Sequence, residues 1–181
     1  MTIPTPVPGS YWLAEGRLLA GQYPGAATRN RTRERLEALV AAGIRSFIDL
    51  TQDRDGVEPY EDVLREIAQD GGLDLRYTRF GVRDMGVPAD GVMADVLEKI
   101  DLELSEHRPV YVHCLGGVGR TGTVAGCWLI EQGLAAEQAL DGIARLRRGL
   151  PGCSARSPET DAQCAVVRAW PPRSDRSRAD P

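Results

Sequence analysis

Lysine is almost missing from this 181-residue chain: Lys99 stands alone beside 21 arginines. With 26 acidic residues the net charge is −4 and the pI about 5.3. No broad basic field exists to draw the protein onto nucleic acid or an anionic membrane, so neither partner is expected. Histidine is scarce as well, and having only His107 and His113 limits any chemistry built on several imidazoles. The four cysteines, Cys114, Cys127, Cys153 and Cys164, never stand at C-x-x-C spacing. Neither a disulfide scaffold nor a structural zinc site fits that pattern, and free thiols suit a reducing cytoplasm, the expected location. No apolar run approaches the ~20 residues of a membrane span, so no insertion is expected. The first residues, Met1-Thr2-Ile3-Pro4-Thr5-Pro6, lack the basic and apolar regions of a signal peptide.

What the chain does have is an ordinary globular balance, 42% hydrophobic and 27% charged, at a length that favours one domain. That domain is expected over residues 11–170. An irregular segment, 1–10, precedes it and a flexible tail, 171–181, follows, with almost nothing apolar to bury.

Between those ends, strand and helix patterns alternate. Residues 11–13 and 17–20 read as an antiparallel pair. Residues 28–42 are helical, with Leu36, Leu39 and Val40 on one face and Gly43 as the stop. Strands are expected at 44–50, 73–80 and 109–113, and helices at 60–70, 91–104, 121–132 and 135–146. Asp90 reads as the N-cap of the helix at 91–104. Residues 121–132 are apolar nearly all round, which predicts a buried central helix. Ser157-Pro158-Glu159 reads as an N-cap with proline at the first helical position, opening a last helix to Trp170. The succession predicts an α/β fold, a central and mostly parallel sheet flanked by helices.

The most informative stretch is His113-Cys114-Leu115-Gly116-Gly117-Val118-Gly119-Arg120-Thr121-Gly122. A strand enters a glycine-rich turn, and the turn enters a helix. Backbone N–H groups and a positive helix end then converge on one point, which is an anion site. Cys114 opens the turn and Arg120 closes it, so a guanidinium can grip two phosphate oxygens while a thiol lies beneath the phosphorus. A thiol of ordinary pKa ~8.5 is a poor nucleophile near neutrality, and a helix N-terminus with neighbouring cations favours its thiolate. His113 is placed to brace the turn. The nucleotide-binding loop G-x-x-x-x-G-K-[ST] would need glycine at Cys114 and lysine at Arg120, which disfavours ATP.

On these residues the chain resembles the cysteine-dependent protein tyrosine phosphatase superfamily, whose signature H-C-x5-R-[ST] is present in full. Tyr11-Trp12-Leu13, Leu18-Leu19-Ala20-Gly21-Gln22-Tyr23-Pro24-Gly25 and Phe47-Ile48-Asp49-Leu50-Thr51 resemble compact bacterial dual-specificity-like phosphatases. The loop Gly116-Gly117-Val118-Gly119-Arg120-Thr121 is similar to the kinase-associated phosphatase branch. The likeness runs over roughly residues 11–170. It implies that fold and a cysteinyl-phosphate mechanism without metal or cofactor. Leu115, Gly116, Gly117, Val118, Gly119 and Arg120 would bind the phosphoryl group, Cys114 would attack it, and Thr121 would assist sulfur departure.

Such a mechanism also needs a carboxylic acid to protonate the leaving oxygen. Asp84, followed four residues later by Pro88 and some thirty residues before Cys114, fits the family's acid loop. Gln163 or Glu159 is a candidate for positioning water. Asp49 reads as a loop tether, Tyr23 as a packed turn residue near the pocket, and Cys127 as core with a redox pairing to Cys114 as the alternative. Arg145, Arg147 and Arg148 read as a solvated helix end. The expected substrate is a phosphoprotein bearing phosphotyrosine, with phosphoserine and phosphothreonine as further candidates. Alternatives are an inositol phospholipid or small phosphoester, and a phosphate-reading pseudoenzyme.

Overall fold

The computed structural model describes residues 4–89, 91–150 and 156–172. Five strands form one sheet: β1 (Tyr11–Ala14), β2 (Leu18–Gly21), β3 (Ser46–Asp49), β4 (Arg76–Arg79) and β5 (Val110–His113). Their order is β1-β2-β5-β3-β4; β1 and β2 are antiparallel and every other pair is parallel. Central in that order, β5 is buried along its whole length. At the edge, β4 carries exposed Arg76 and Arg79, charges that discourage further pairing.

Alternation along the strands divides the core in two. Leu19, Phe47 and Tyr111 face α1 (Arg29–Ala41) and α2 (Glu61–Gly71), meeting Leu36, Leu39, Val63 and Ile67. Leu18, Ile48, Val110 and Val112 face the other layer, α3 (Val92–Ser105), α4 (Gly119–Glu131), α5 (Ala136–Leu146) and α6 (Asp161–Ala169). All thirteen residues of α4 are buried, as its all-round apolarity predicts. The lone lysine has a structural place: Lys99 Nζ (2.5 Å) and Arg108 Nε (2.6 Å) donate to the buried carboxylate of Glu103. Burial alone would raise that carboxyl's pKa; the two cations outweigh it and hold the group below its ordinary value.

Three helix starts differ from expectation. Gly91, with φ of 86°, precedes α3 as its N-cap, and Asp90 lies outside the described residues. Thr160, not Ser157, caps α6: its Oγ1 accepts from Gln163 N–H while Gln163 Oε1 accepts from Thr160 N–H, a reciprocal box worth more than a single cap bond. Ser157 is engaged elsewhere, donating to Val118 O at 2.7 Å. And α4 begins two residues early, so Arg120 sits in its first turn. Residues 4–10 are irregular but packed, with Val7 and Ser10 buried. Of the tail expected at 171–181, only residues 171–172 are described.

Candidate active site

Parallel strands place their carboxyl ends on one side of the sheet, where α/β proteins bind ligands. Cys114 follows the end of central β5, and the connections leaving β2 and β3 flank it. The turn from Cys114 to Gly119 is fixed through its carbonyl oxygens. His113 Nδ1 faces Cys114 O at 3.4 Å, Tyr23 N–H donates to Leu115 O at 3.0 Å, Arg147 Nη1 donates to Gly117 O at 3.1 Å, and Ser157 Oγ donates to Val118 O. In a planar trans peptide the next N–H points the opposite way. Anchoring these four carbonyls outward thus turns the N–H groups of Leu115, Gly116, Val118 and Gly119 toward the inside of the turn.

Gly117 makes this possible. Its φ is +68°, and a Cβ there would lie 2.5 Å from the Gly21 carbonyl carbon and 2.7 Å from Gln22 N. The turn rests directly on the chain leaving β2, where Tyr111 also donates to Gln22 O. Thr121 joins the same seam, its hydroxyl 3.3 Å from Gly21 O, so in this structure its hydrogen bond goes to the β2 backbone and not to the Cys114 sulfur.

Arg120 is 2% exposed. Its Nη1 donates to Asp55 Oδ2 at 2.6 Å, Val82 O at 3.0 Å and Leu50 O at 3.3 Å. Burial works against the charged guanidinium, and the hydrogen bond with Asp55 together with the charges of Cys114, Asp55 and Asp84 outweighs it. The other edge, Nε and Nη2, is buried without a hydrogen-bond partner. Asp84 Oδ1 stands 3.0 Å from Nη2, within ion-pair range but off the line of an N–H bond. That free edge is a fork matched to two oxygens of one anion. Asp55, which aims it, escaped the sequence reading: Asp53-Arg54-Asp55 forms a short 3-10 turn with no pattern to distinguish it from any polar loop.

His113 is fully buried, and burial pushes its pKa below the ordinary value. The ring is then neutral and carries one hydrogen. Tyr60, whose hydroxyl burial holds protonated, donates to Nε2 at 2.7 Å, which leaves Nδ1–H toward Cys114 O. Tyr23 packs edge-on against both rings and donates to Glu58 O, a packed turn residue as expected. Asp49 accepts from Thr51 N–H and Tyr77 hydroxyl, tying β3 and β4 at the site.

Asp84 is about half exposed (53% for its side chain) on the connection at residues 81–88. That segment is latched at both ends: Val82 N–H donates to Leu50 O, and Gln163 Nε2 donates to Gly86 O at 2.9 Å. Gln163 is fully buried, its Oε1 occupied by Glu159 and Thr160 N–H groups. Glu159 is exposed, and both residues flank Gly119, where a Cβ would meet them at 2.9 Å and 3.1 Å. Cys127 is buried in α4; Cys153 lies outside the described residues.

One expectation is corrected outright. Arg145 and Arg148 are exposed, but Arg147 is 6% exposed and reaches under the turn to Gly117 O. The residues Ala139 and Ile143, both fully buried, stand eight and four positions before it; on a helix that spacing continues the buried face. The signal was present, hidden in a run of arginines.

Comparison with known proteins agrees with this geometry. Residues 8–181 match the family described as Swiss Army Knife protein, DSP-PTPase phosphatase domain. Human cyclin-dependent kinase inhibitor 3 is 26% identical over 148 residues, 75% of this chain and 68% of that protein. The chain spans from about two fifths to about two thirds of the length of the human, pig and rat proteins of that name. Among solved structures, kinase-associated phosphatase with its catalytic cysteine changed to serine superposes with a TM-score of 0.74 at 19% identity, covering 97% of both chains. Tk-PTP in its active form gives 0.71 at 22% identity, over 90% of this chain and 96% of that one.

Proposed function

The chain belongs to the dual-specificity-like cysteine phosphatases, and from that premise we propose that it hydrolyses phosphotyrosine, and phosphoserine or phosphothreonine, in protein substrates through a cysteinyl-phosphate intermediate. The observation that carries this reading is the inward ring of N–H groups around Cys114, completed by the Nε–Nη2 fork of Arg120, which has no hydrogen-bond partner and faces Asp84.

The phosphoryl oxygens dock on Leu115–Arg120, the N–H groups and guanidinium compensating charge that grows in the transition state. Cys114 thiolate attacks phosphorus in line; the phosphorus–oxygen bond breaks, and Asp84 gives its proton to the departing oxygen. Asp84, now a carboxylate, takes a proton from water, and the resulting oxygen attacks phosphorus to release phosphate and the thiolate. Thr121 assists that release after its hydroxyl turns from Gly21 O. Glu159, exposed beside Gly119, is better placed than the fully engaged Gln163 to orient the water.

Peptide substrates are favoured over polyanionic lipids because Leu115, Gly117 and Val118 bring no charge to the loop. A cavity of about 420 Å³ beside it, lined by Tyr23, Ala26, Val57 and Leu115 with Arg35 and Glu58, gives room for a side chain flanking the phosphorylated residue. The need for a free Cys114 thiol favours the cytoplasm; no described helix is long and apolar enough to cross a membrane. Hydrolysis of an aryl phosphate, with and without chelator, tests the reading. Activity should resist chelation and vanish in Cys114→Ser, and undiminished turnover in that variant would refute the mechanism. Asp84→Ala should lower kcat far more than it changes KM, by about 100-fold or more for poor leaving groups.

A further inference from the structure

The reaction above leaves one buried charge without a task. Arg147 has no carboxylate within ion-pair distance among the described residues, and its Nε is buried without a partner. The hydroxyl of Tyr11, on β1, is likewise buried and unpartnered. A guanidinium withdrawn from water needs negative charge nearby to offset the lost hydration. The Gly117 carbonyl, 3.1 Å from Nη1, supplies only a dipole.

We propose that Arg147 is a positioning residue of the phosphate loop: with the Tyr11 hydroxyl it forms a charged floor that holds the Gly117–Val118 peptide with its N–H toward the phosphoryl group. Because carbonyl and following N–H are antiparallel, a clamp on Gly117 O is also a clamp on Val118 N–H. Cys114 and Arg147 both act on the Tyr11 hydroxyl, which puts the same charge near the nucleophile, where it favours thiolate as well as phosphate. Tyr11 sits in the field of both groups. Burial lifts its hydroxyl far above the ordinary value, with Arg147 pulling down and Cys114 adding to the rise. The other groups in the neighbourhood of Cys114 are Tyr111 and His113 from β5 and Arg120 from α4, with Asp55 and Asp84 acting across Arg120. The positive charges acting on this set are Arg120, Arg147 and, on Tyr111, Arg35, while Asp49 adds a negative charge beside His113.

This inference rests on the phosphatase reading of the loop, and the experiment separates the two. Alkylation of Cys114 by iodoacetamide, followed by peptide mapping over the acid-to-neutral range, reads the thiolate without turnover, and inorganic phosphate as protectant reads the anion site. In Arg147→Met the phosphate needed for protection should rise about tenfold and the alkylation midpoint should move up by about half a pH unit or more. On an aryl phosphate kcat should fall more than KM rises. Arg147→Lys should restore most of the midpoint but less of kcat, because the charge returns without the fork. Arg148→Met, on the exposed neighbour, should match wild type. A folded Arg147→Met with unchanged midpoint and unchanged protection overturns the proposal. Should that variant not fold, Tyr11→Phe decides: a smaller upward shift supports the floor and an unmoved midpoint overturns it. A wild-type chain that phosphate protects but that turns over no phosphomonoester overturns the phosphatase reading and leaves this one standing.

Discussion

The phosphate loop and the acid-bearing connection at residues 81–88 meet at Arg120 and are built in opposite ways. Four carbonyls of the first are anchored by donors from four different places: β5, the turn after β2, the end of α5 and the approach to α6. The second is mostly exposed and held by two latches, Val82 to Leu50 and Gly86 to Gln163, with Asp84 beside Arg120. The contrast follows from the chemistry each must do. Amides that stabilise a transition state help only if they are already aimed, since reorienting them during reaction would consume the gain. A proton donor must instead approach a bound group and later admit water, so it belongs on a segment with few tethers.

Glycine substitution gives the largest expected break in this symmetry of roles. Gly117→Ala places a Cβ against the Gly21 and Gln22 backbone at a left-handed φ, and should destabilise the fold by about 3 kcal/mol or more. Gly81→Ala meets the Gln52 side chain at 3.2 Å and the Thr51 carbonyl oxygen at an ordinary 3.6 Å, and should stay within about 1 kcal/mol. Urea midpoints of the two variants measure the difference; equal losses would show that the loops do not differ in rigidity.

Arg120→Lys is expected next. A single ammonium can keep Asp55 or face the anion but cannot hold both with a fork. Steady-state kinetics on an aryl phosphate should show kcat/KM lower by about 100-fold or more, with the change in stability small by comparison.

How much of this was legible in sequence follows the same division. Cys114, the glycines and Arg120 lie within seven consecutive residues, so one local pattern exposed them together, and β5 and α4 were clear from their largely apolar character. The groups that hold the loop came from far along the chain. Asp55, Arg147, Tyr11 and Ser157 converge only after the sheet forms, and nothing local marks Asp55 or Tyr11 for that role. Two signals were nonetheless readable. Thr160 and Gln163 stand at capping-box spacing, which outranks the Ser157-Pro158 pair, and Arg147 continues the Ala139–Ile143 face of α5.

A milder perturbation tests the acid side alone. Gln163→Ala removes the donor to Gly86 O and half of the α6 capping box, and should lower stability by about 1–2 kcal/mol. Its kinetic effect should be a drop in kcat of about tenfold or less, larger for poor leaving groups, because only proton delivery is disturbed. Phosphate protection of Cys114 should remain at the wild-type level. A loss of that protection would mean the two loops are mechanically one.

The smallest effect concerns the loop side and pH. Burial depresses the His113 pKa in the native state, while the unfolded chain titrates near the ordinary 6.5. Below that value the unfolded chain takes up a proton that the native ring refuses until a lower pH, so falling pH favours unfolding. The stability contributed by neutral His113 is therefore complete above the unfolded pKa and is lost as pH falls toward the folded one, with a slope of at most about 1.4 kcal/mol per pH unit. Protonation would also remove the acceptor that Tyr60 uses at Nε2, opposing the bond that orients Nδ1–H toward Cys114 O. His113→Asn should be less stable than wild type at neutral pH, yet show a flatter dependence of its urea midpoint between pH of about 6.5 and about 5, above the range where most carboxylates titrate. Parallel curves would remove His113 from the linkage. Curves that converge as pH falls would place the pH sensitivity of the fold beneath the nucleophile, on the rigid side of the site, with the acid-bearing connection left out of it.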